Sequence, residues 1–408
     1  MNIFKQRWRK LDNTAKIFSL GGNRNVFRYS AVLNKKIDEK KLKQAVEKTL
    51  NMYPAFKVKF KTGLFWNYLE YNFASPIITK ENEIPCKKIN FKENNDYLFK
   101  VTYFKNKINI DILHVLTDGA GGIIFLKAII YNYLDKNNIE VKENKKNVIQ
   151  QDEYLKNYNR KNNIKLVKNF PYILKGKANK NINKTYHYTI GLKDIKNISK
   201  SRNVSITEYL TALYIYAIYL SLYDKNSKRD IIITVPIDLR KYYNVDTLLN
   251  FFVCMNVNPH IPKNKKVTFE EILKGVNLEF KSKINENEIK GYLTKNVKLG
   301  KNIPIRLVPL FLKKIFIKLS NISSSTSTLS NVGIIDIDEK FKNDVKNINA
   351  LVMPGSVQKI KCTVCSYNDN LNITINSNID DKLFHKEFLK LLKSDFKNVK
   401  IESNCFDK

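Results

Sequence analysis

The sequence predicts an α/β protein of two subdomains, each a mixed β-sheet flanked by helices. Three observations carry that expectation. Residues 108–134 read as strand, tight turn and helix; strand and helix patterns alternate through both halves of the 408 residues; and between Asp135 and Lys184 the composition shifts to Lys and Asn with scattered apolar residues. That shift places a domain change near residue 175, giving units 1–175 and 176–408.

The central stretch is INIDILHVLTDGAGGIIFLKAIIYNYL. Ile108, Ile110 and Ile112 alternate with Asn109 and Asp111, the period of a strand with one buried face. His114 falls on the isoleucine parity and is expected to point inward. Asp118 and the glycines Gly119, Gly121 and Gly122 make the turn, and Ile123, Leu126, Ile130 and Leu134 recur at helical spacing after it. A titratable ring would thus be fixed at a strand end beside an open backbone.

The other elements of the first unit follow in order. LDNTAKIFSL predicts an early helix or loop, and residues 27–33 a strand. Asp38 can cap a helix whose apolar face is Leu42, Ala45, Val46, Thr49 and Leu50, with Pro54 ending it. Residues 55–60 and 65–71 flank Thr62-Gly63 as a hairpin, and 97–104 form the strand before the central one.

In the second unit, residues 185–191 read as a strand and a short helix runs to about Asn203. Ser205 and Glu208 have capping-box spacing before a long, mostly buried helix, and Thr268 and Glu271 repeat that spacing before another. Residues 231–237 and 251–257 are apolar enough for buried strands. For residues 305–320 the preferred reading is a helix packed over the core with snorkelling Lys313, Lys314 and Lys318; the other is a helix lying on a membrane surface. SSSTSTLSNVG, residues 323–333, reads as a Ser/Thr-rich loop, and the closing helix should bury Leu383, Phe384, Phe388, Leu391 and Leu392.

The formal charge is +34, from 72 Lys and Arg against 38 Asp and Glu. The lysines are spread along the whole chain without a nucleic-acid reader motif, so a solvated basic surface is preferred and no nucleic acid is expected. An acidic partner such as a phosphorylated co-substrate or an acidic carrier protein would also suit the charge. Five cysteines are too few and odd for a disulfide framework, and Cys362 and Cys365 read as strand residues rather than a metal or redox pair. The opening segment lacks a signal-peptide core and no apolar run reaches membrane-span length, so a cytoplasmic location with at most peripheral membrane contact is expected.

The run His114-x-x-x-Asp118-Gly119 matches an HxxxDG signature. With LDNTAKIF near the start, TVPIDLR at 234–240, LLNFFV at 248–253 and LSNVG at 329–333, it resembles the acyltransferases of the chloramphenicol acetyltransferase fold. These include alcohol acetyltransferases, plant acyl-CoA-dependent acyltransferases and peptide synthetase condensation domains. The resemblance spans nearly the whole chain and looks closest to the alcohol acetyltransferase branch. Leu113 stands where condensation domains usually carry a second histidine, which weighs against peptide-bond formation.

Acyl transfer from a thioester needs a base for the incoming hydroxyl or amine and a donor for the oxyanion. Imidazole suits the first task, and His114 is the candidate base. His187, His260 and His385 have no comparable surroundings. The resemblance implies that Asp118 pairs with a distant arginine, for which Arg240 is the match, and holds the turn in shape. Gly119 fits as a small residue allowing close backbone approach. Thr328, Ser330 and Asn331 are candidate oxyanion or substrate-loop donors. The resemblance further implies a tunnel between the halves, acyl-CoA as co-substrate, a small alcohol or amine as acceptor, and no bound cofactor or metal. No hydrolase elbow or P-loop is present, so a covalent acyl-enzyme is not expected. Two alternatives stand beside this reading: transfer or condensation from a carrier-protein thioester, with an acyl carrier protein as partner, and a non-catalytic basic binding protein that keeps the fold.

Overall fold

The strand Lys107–Leu113 buries Ile108, Ile110 and Ile112 and runs through the middle of a five-stranded sheet. It pairs antiparallel with Val26–Leu33 and with Phe99–Phe104. Val345–Val352 and Ile78–Lys80 form the two edges, the latter parallel to its neighbour, so the sheet is mixed. The computed structural model describes residues 8–21, 25–135, 151–162, 164, 170–179, 183–262, 265–320 and 324–405. Of the connection expected between Asp135 and Lys184, residues 136–150, 163, 165–169 and 180–182 lie outside the described residues, as do residues 1–7 of the opening segment and Ser323.

One wet face was predicted for the central strand, and the structure corrects this: Asn109 and Asp111 are buried too. Arg28 on the adjacent strand donates from Nε and Nη2 to the two Asp111 oxygens at 2.6 and 2.7 Å, and its Nη1 lies 2.6 Å from Glu81. Ser30 donates to Asn109 at 2.7 Å. Arg28, Ser30, Asn109 and Asp111 can be covered on this face because each of the four has a partner.

Helices close the opposite face. Asp38 caps Glu39–Met52 by accepting from the Lys41 N–H, and Leu42, Ala45, Val46, Thr49 and Leu50 are its buried side. Gly119–Leu134 packs beside it, and Phe125 on that helix stacks on Phe56 with ring centroids 4.2 Å apart.

The second sheet has seven strands, in spatial order Phe252–Val257, Ile233–Asp238, Ser327–Ile334, Ile360–Tyr367, Asn370–Ser377, Lys184–Gly191 and Lys400–Ser403. Ser327–Ile334 runs parallel to both neighbours and the other pairs are antiparallel, again a mixed sheet. Ile206–Ser221 and Phe269–Lys283 both open with complete capping boxes, Ser205 with Glu208 and Thr268 with Glu271. With Lys382–Asp395 they cover the face that carries Val253, Met255, Ile233, Val235, Leu329, Cys362 and Val364.

Three further expectations change. The Ser/Thr-rich stretch is a strand rather than a loop over its second half, placed inside the sheet where parallel pairing on both sides satisfies its backbone. Leu383 is exposed on the closing helix, whose buried side is Phe384, His385, Phe388 and Leu392. The segment 305–320 does not pack its apolar side over the core: two helices, Ile303–Leu307 and Leu310–Ser320, leave Leu307, Phe311, Ile315 and Phe316 exposed while Lys313 is buried. The side chain of Lys318 lies outside what is described.

Elements from both ends of the chain share the first sheet, since its edge strand Val345–Val352 lies late in the sequence. Tyr367 and Asn372 of the second sheet donate to the carbonyls of Val345 and Ile348 at 2.9 and 2.8 Å, tying the two sheets together. Cys362 and Cys365 are free thiols on Ile360–Tyr367, both buried.

Candidate active site

His114 follows the central strand directly, and its own N–H donates to the Asn25 carbonyl at 2.8 Å, so the strand's pairing fixes where the residue sits. Its ring is half-buried among aromatic rings from the start and the middle of the chain. Phe18 stacks on it at 4.3 Å between centroids, Phe27 meets it edge-on at 5.1 Å, and Phe252 lies at 5.5 Å. This cage fixes the ring's orientation and strips water from it.

Nδ1 of His114 lies 3.1 Å from Oδ1 of Asn250. The amide's other end is set by two acceptors: Nδ2 of Asn250 donates to Asp12 Oδ2 at 3.1 Å and to the His114 carbonyl at 3.2 Å. A carbonyl cannot donate, so the NH2 group must face it and the amide oxygen must face the ring. Nδ1 therefore carries the proton in the neutral imidazole, and Nε2 carries the lone pair. Burial lowers the ring's pKa from its ordinary 6.5, opposed by Asp118, a backbone bond and Asn250, while Lys361 adds to the lowering. The ring is neutral at neutral pH and can accept a proton at Nε2.

Asp12 begins the helix Asn13–Leu20 as its N-cap, accepting from the Ala15 N–H at 2.7 Å. Burial raises its carboxyl pKa to about 7 against the pull of that bond and of Asn250. Neither Asp12 nor Asn250 stood out in the sequence as a site residue, although both lie inside the landmark stretches LDNTAKIF and LLNFFV. The signal available was local: an Asp with capping spacing beside an apolar helix, and an Asn opening a strand.

Asp118 caps Gly119–Leu134 by accepting from the Gly121 N–H at 3.1 Å. Arg240, 122 residues on, donates from Nη1 and Nη2 to its two oxygens, each at 2.9 Å, and the Phe251 N–H adds a bond of 2.8 Å. The guanidinium also donates to the carbonyls of Thr247 and Leu249 and to Asp238. Burial works against its charge, yet attraction to Asp118 outweighs this and raises the arginine's pKa. The pair fastens the turn after His114 to the segment 247–251, which delivers Asn250. Asp118 is oriented by these bonds, and the group on Nδ1 of His114 is an amide, not a carboxylate.

Glycine is used at two steps of the turn. A Cβ on Gly121 would lie 2.0 Å from Thr117 Oγ1 and 2.5 Å from the Leu248 carbonyl oxygen. At Gly119 the crowding is milder, with Val332 Cγ1 at 3.0 Å and the Tyr29 hydroxyl at 3.3 Å. That hydroxyl donates to the Gly119 carbonyl at 2.9 Å.

Strand alternation sorts the remaining candidates. Leu329 belongs to the second core, so Thr328 and Ser330 face the other way. Val332, on the same parity, is the neighbour of Gly119, which turns this face toward the His114 turn. Asn331 points elsewhere, donating to Thr207 Oγ1 at 2.9 Å and accepting from the Gly333 N–H. Thr328 already donates to Gln358 at 3.0 Å. Lys361 pairs in register with Thr328, and burial lowers its pKa to about 8. Sequence reasoning passed over this lysine because nothing separates it there from the 72 basic residues of the chain.

His187, His260 and His385 lie apart from this constellation. His385 is held by Asp381 and Tyr188, and His187 by Thr374. Among the described residues no group of three or more His, Cys, Asp or Glu is placed to hold a metal ion.

No protein-family model matches the chain, and no curated protein matches it. Solved structures do. Trichothecene 15-O-acetyltransferase from Fusarium sporotrichioides is similar at 10% identity over 96% of this chain and 98% of that one, with a TM-score of 0.62. TRI101 of F. graminearum, complexed with coenzyme A and deoxynivalenol, is similar at 10% identity over 97% and 99%, with a TM-score of 0.65. The first condensation domain of the calcium-dependent antibiotic synthetase is similar at 10% identity over 95% and 96%, with a TM-score of 0.59. The chain has the chloramphenicol acetyltransferase-like fold. Within that fold, likeness at this identity leaves the chemistry to be argued from side chains.

Proposed function

We propose that the chain transfers an acyl group from a coenzyme A thioester to an alcohol or amine, with His114 as general base. The observation that carries this is the neutral imidazole whose Nδ1 proton is directed to Asn250, leaving Nε2 as the acceptor. Coenzyme A in the TRI101 complex supports the donor.

In this mechanism the acceptor O–H or N–H gives its proton to Nε2 as its heteroatom attacks the thioester carbonyl. The tetrahedral oxyanion collapses, the C–S bond breaks, and the proton passes from Nε2 to the leaving thiolate, restoring the base. Asp118 and Arg240 act by holding the turn and the Asn250 segment together. Ser330 is the oxyanion donor we favour, since it faces the His114 turn while Asn331 is turned away and Thr328 is engaged. The mechanism requires two routes to the ring, one for the pantetheine arm and one for the acceptor.

The test is thiol release together with product mass spectrometry, using several acyl-CoAs against a panel of alcohols and amines. Acyl esters or amides should appear with wild type and vanish in His114→Ala, and wild-type rates in that variant would defeat the reading. The similarity to a condensation domain favours one second reading, a carrier-protein thioester as donor. Assaying acyl-carrier and acyl-CoA donors side by side separates the two.

A further inference from the structure

The segment that the sequence placed over the core is turned the other way round. Leu64, Ile303, Leu307, Phe311, Ile315 and Phe316 are each between 49% and 72% exposed, and they come from three elements joined side by side. The Leu310 N–H donates to the Leu64 carbonyl at 2.9 Å, which docks the helix Leu310–Ser320 on the tip of the hairpin formed by Val58–Thr62 and Asn67–Tyr71. Phe65 and Trp66 of that tip share a cleft with Ile303, Arg306 and Leu307.

Lys313 is the inward side of this arrangement. Its ammonium donates to the Phe65 carbonyl at 2.8 Å and to the Arg306 carbonyl at 3.3 Å, and lies 3.8 Å from the centre of the Trp66 ring. A helix in water ordinarily buries its leucines and exposes its lysines. Here the buried lysine fastens the helix to the hairpin, and the apolar side is held outward on a framed platform. An apolar surface held in place like this calls for an occupant.

We infer that this platform docks on an anionic phospholipid bilayer. Charge selects that partner: besides the buried Lys313, residues 301–320 contain four basic residues and no Asp or Glu, in a chain of net charge +34. Exposed Arg306 stands beside Ile303 and Leu307. Apolar side chains entering the acyl boundary with basic groups at headgroup level, and an indole beside them, is the pattern of an interfacial helix. No helix among the described residues is long and apolar enough to cross a membrane, so docking is by one face. This proposal stands apart from the acyl-transfer reading.

The test is flotation of the full chain with phosphatidylcholine vesicles, with and without phosphatidylglycerol. Wild type should float with the anionic vesicles, and Phe311→Asp/Phe316→Asp should lose ~tenfold or more of that binding while keeping its circular dichroism. Leu278→Asp, an exposed leucine on another helix, should bind as wild type does. Failure of wild type to bind anionic vesicles, or equal binding by the double variant, would overturn the proposal. So would a wild-type dimer that the double variant dissociates, since the occupant would then be a second copy.

Discussion

Asn250 presents its Oδ1 to Nδ1 of His114 across 3.1 Å, from a position 136 residues further along the chain. The amide is polarised by Asp12, so three residues from three separate elements decide which ring nitrogen holds the proton.

Asp12→Asn tests that chain of bonds. Asn caps a helix about as well as Asp, so folding should survive. With its oxygen kept on the Ala15 N–H, the new NH2 group would face the Asn250 NH2 and compete with the His114 carbonyl that holds it; a flip relieving the first contact at the expense of the second turns a donor toward Nδ1 of His114. The proton would then move to Nε2 and the base would be lost. We expect kcat to fall by ~10² or more with KM little changed, and ¹⁵N NMR to report the other tautomer; an unchanged tautomer and rate would remove Asp12 from the mechanism.

Removing one member of the Asp118–Arg240 pair leaves a buried charge without its partner. Asp118→Asn and Arg240→Met should each lower unfolding free energy by about 3–5 kcal/mol, read by urea titration. The double variant should be less destabilised than the sum, because each single change already breaks the same bonds.

What could be read from the sequence was local. The caps at Asp38, Ser205 and Thr268 lie within three or four residues of what they bind, and the central strand with its helix has a clear period. Ser327–Ile334 was missed as a strand because its Ser and Thr residues look like a loop until parallel neighbours supply the hydrogen bonds. Asn109 and Asp111 looked solvent-facing because their covering partners, Arg28 and Glu81, lie far off in sequence. The same distance hid Asn250 and Lys361, whose roles exist only once the second sheet is set against the first.

The two turn glycines should differ in kind. Gly121→Ala forces a methyl onto the Leu248 carbonyl, a backbone atom that cannot swing aside, and should cost about 2 kcal/mol or more with loss of activity. Gly119→Ala meets the end of Val332 at 3.0 Å and should be milder in thermal unfolding.

Stability should carry the mark of Asp12. Its carboxyl holds a proton up to about 7 when folded, whereas the unfolded chain releases it near 3.8. Between those values the native state binds more protons, so this residue makes the fold less stable as pH rises through that window. Asp12→Asn should flatten that part of the stability profile, measured by denaturant titration across the window.

Catalysis should titrate with the opposite sense. Burial keeps the pKa of His114 below 6.5, so the active neutral ring persists as pH falls past 6.5 and is lost only when the lowered pKa is crossed. The acid limb of kcat/KM should therefore lie below 6.5. Lys361, with its own pKa near 8, is mostly charged at pH 7 and pushes the ring further down. Lys361→Met removes that charge, so the acid limb should move upward by a fraction of a pH unit. A limb that stays put in this variant would show that another group, and not this imidazole, governs the rate.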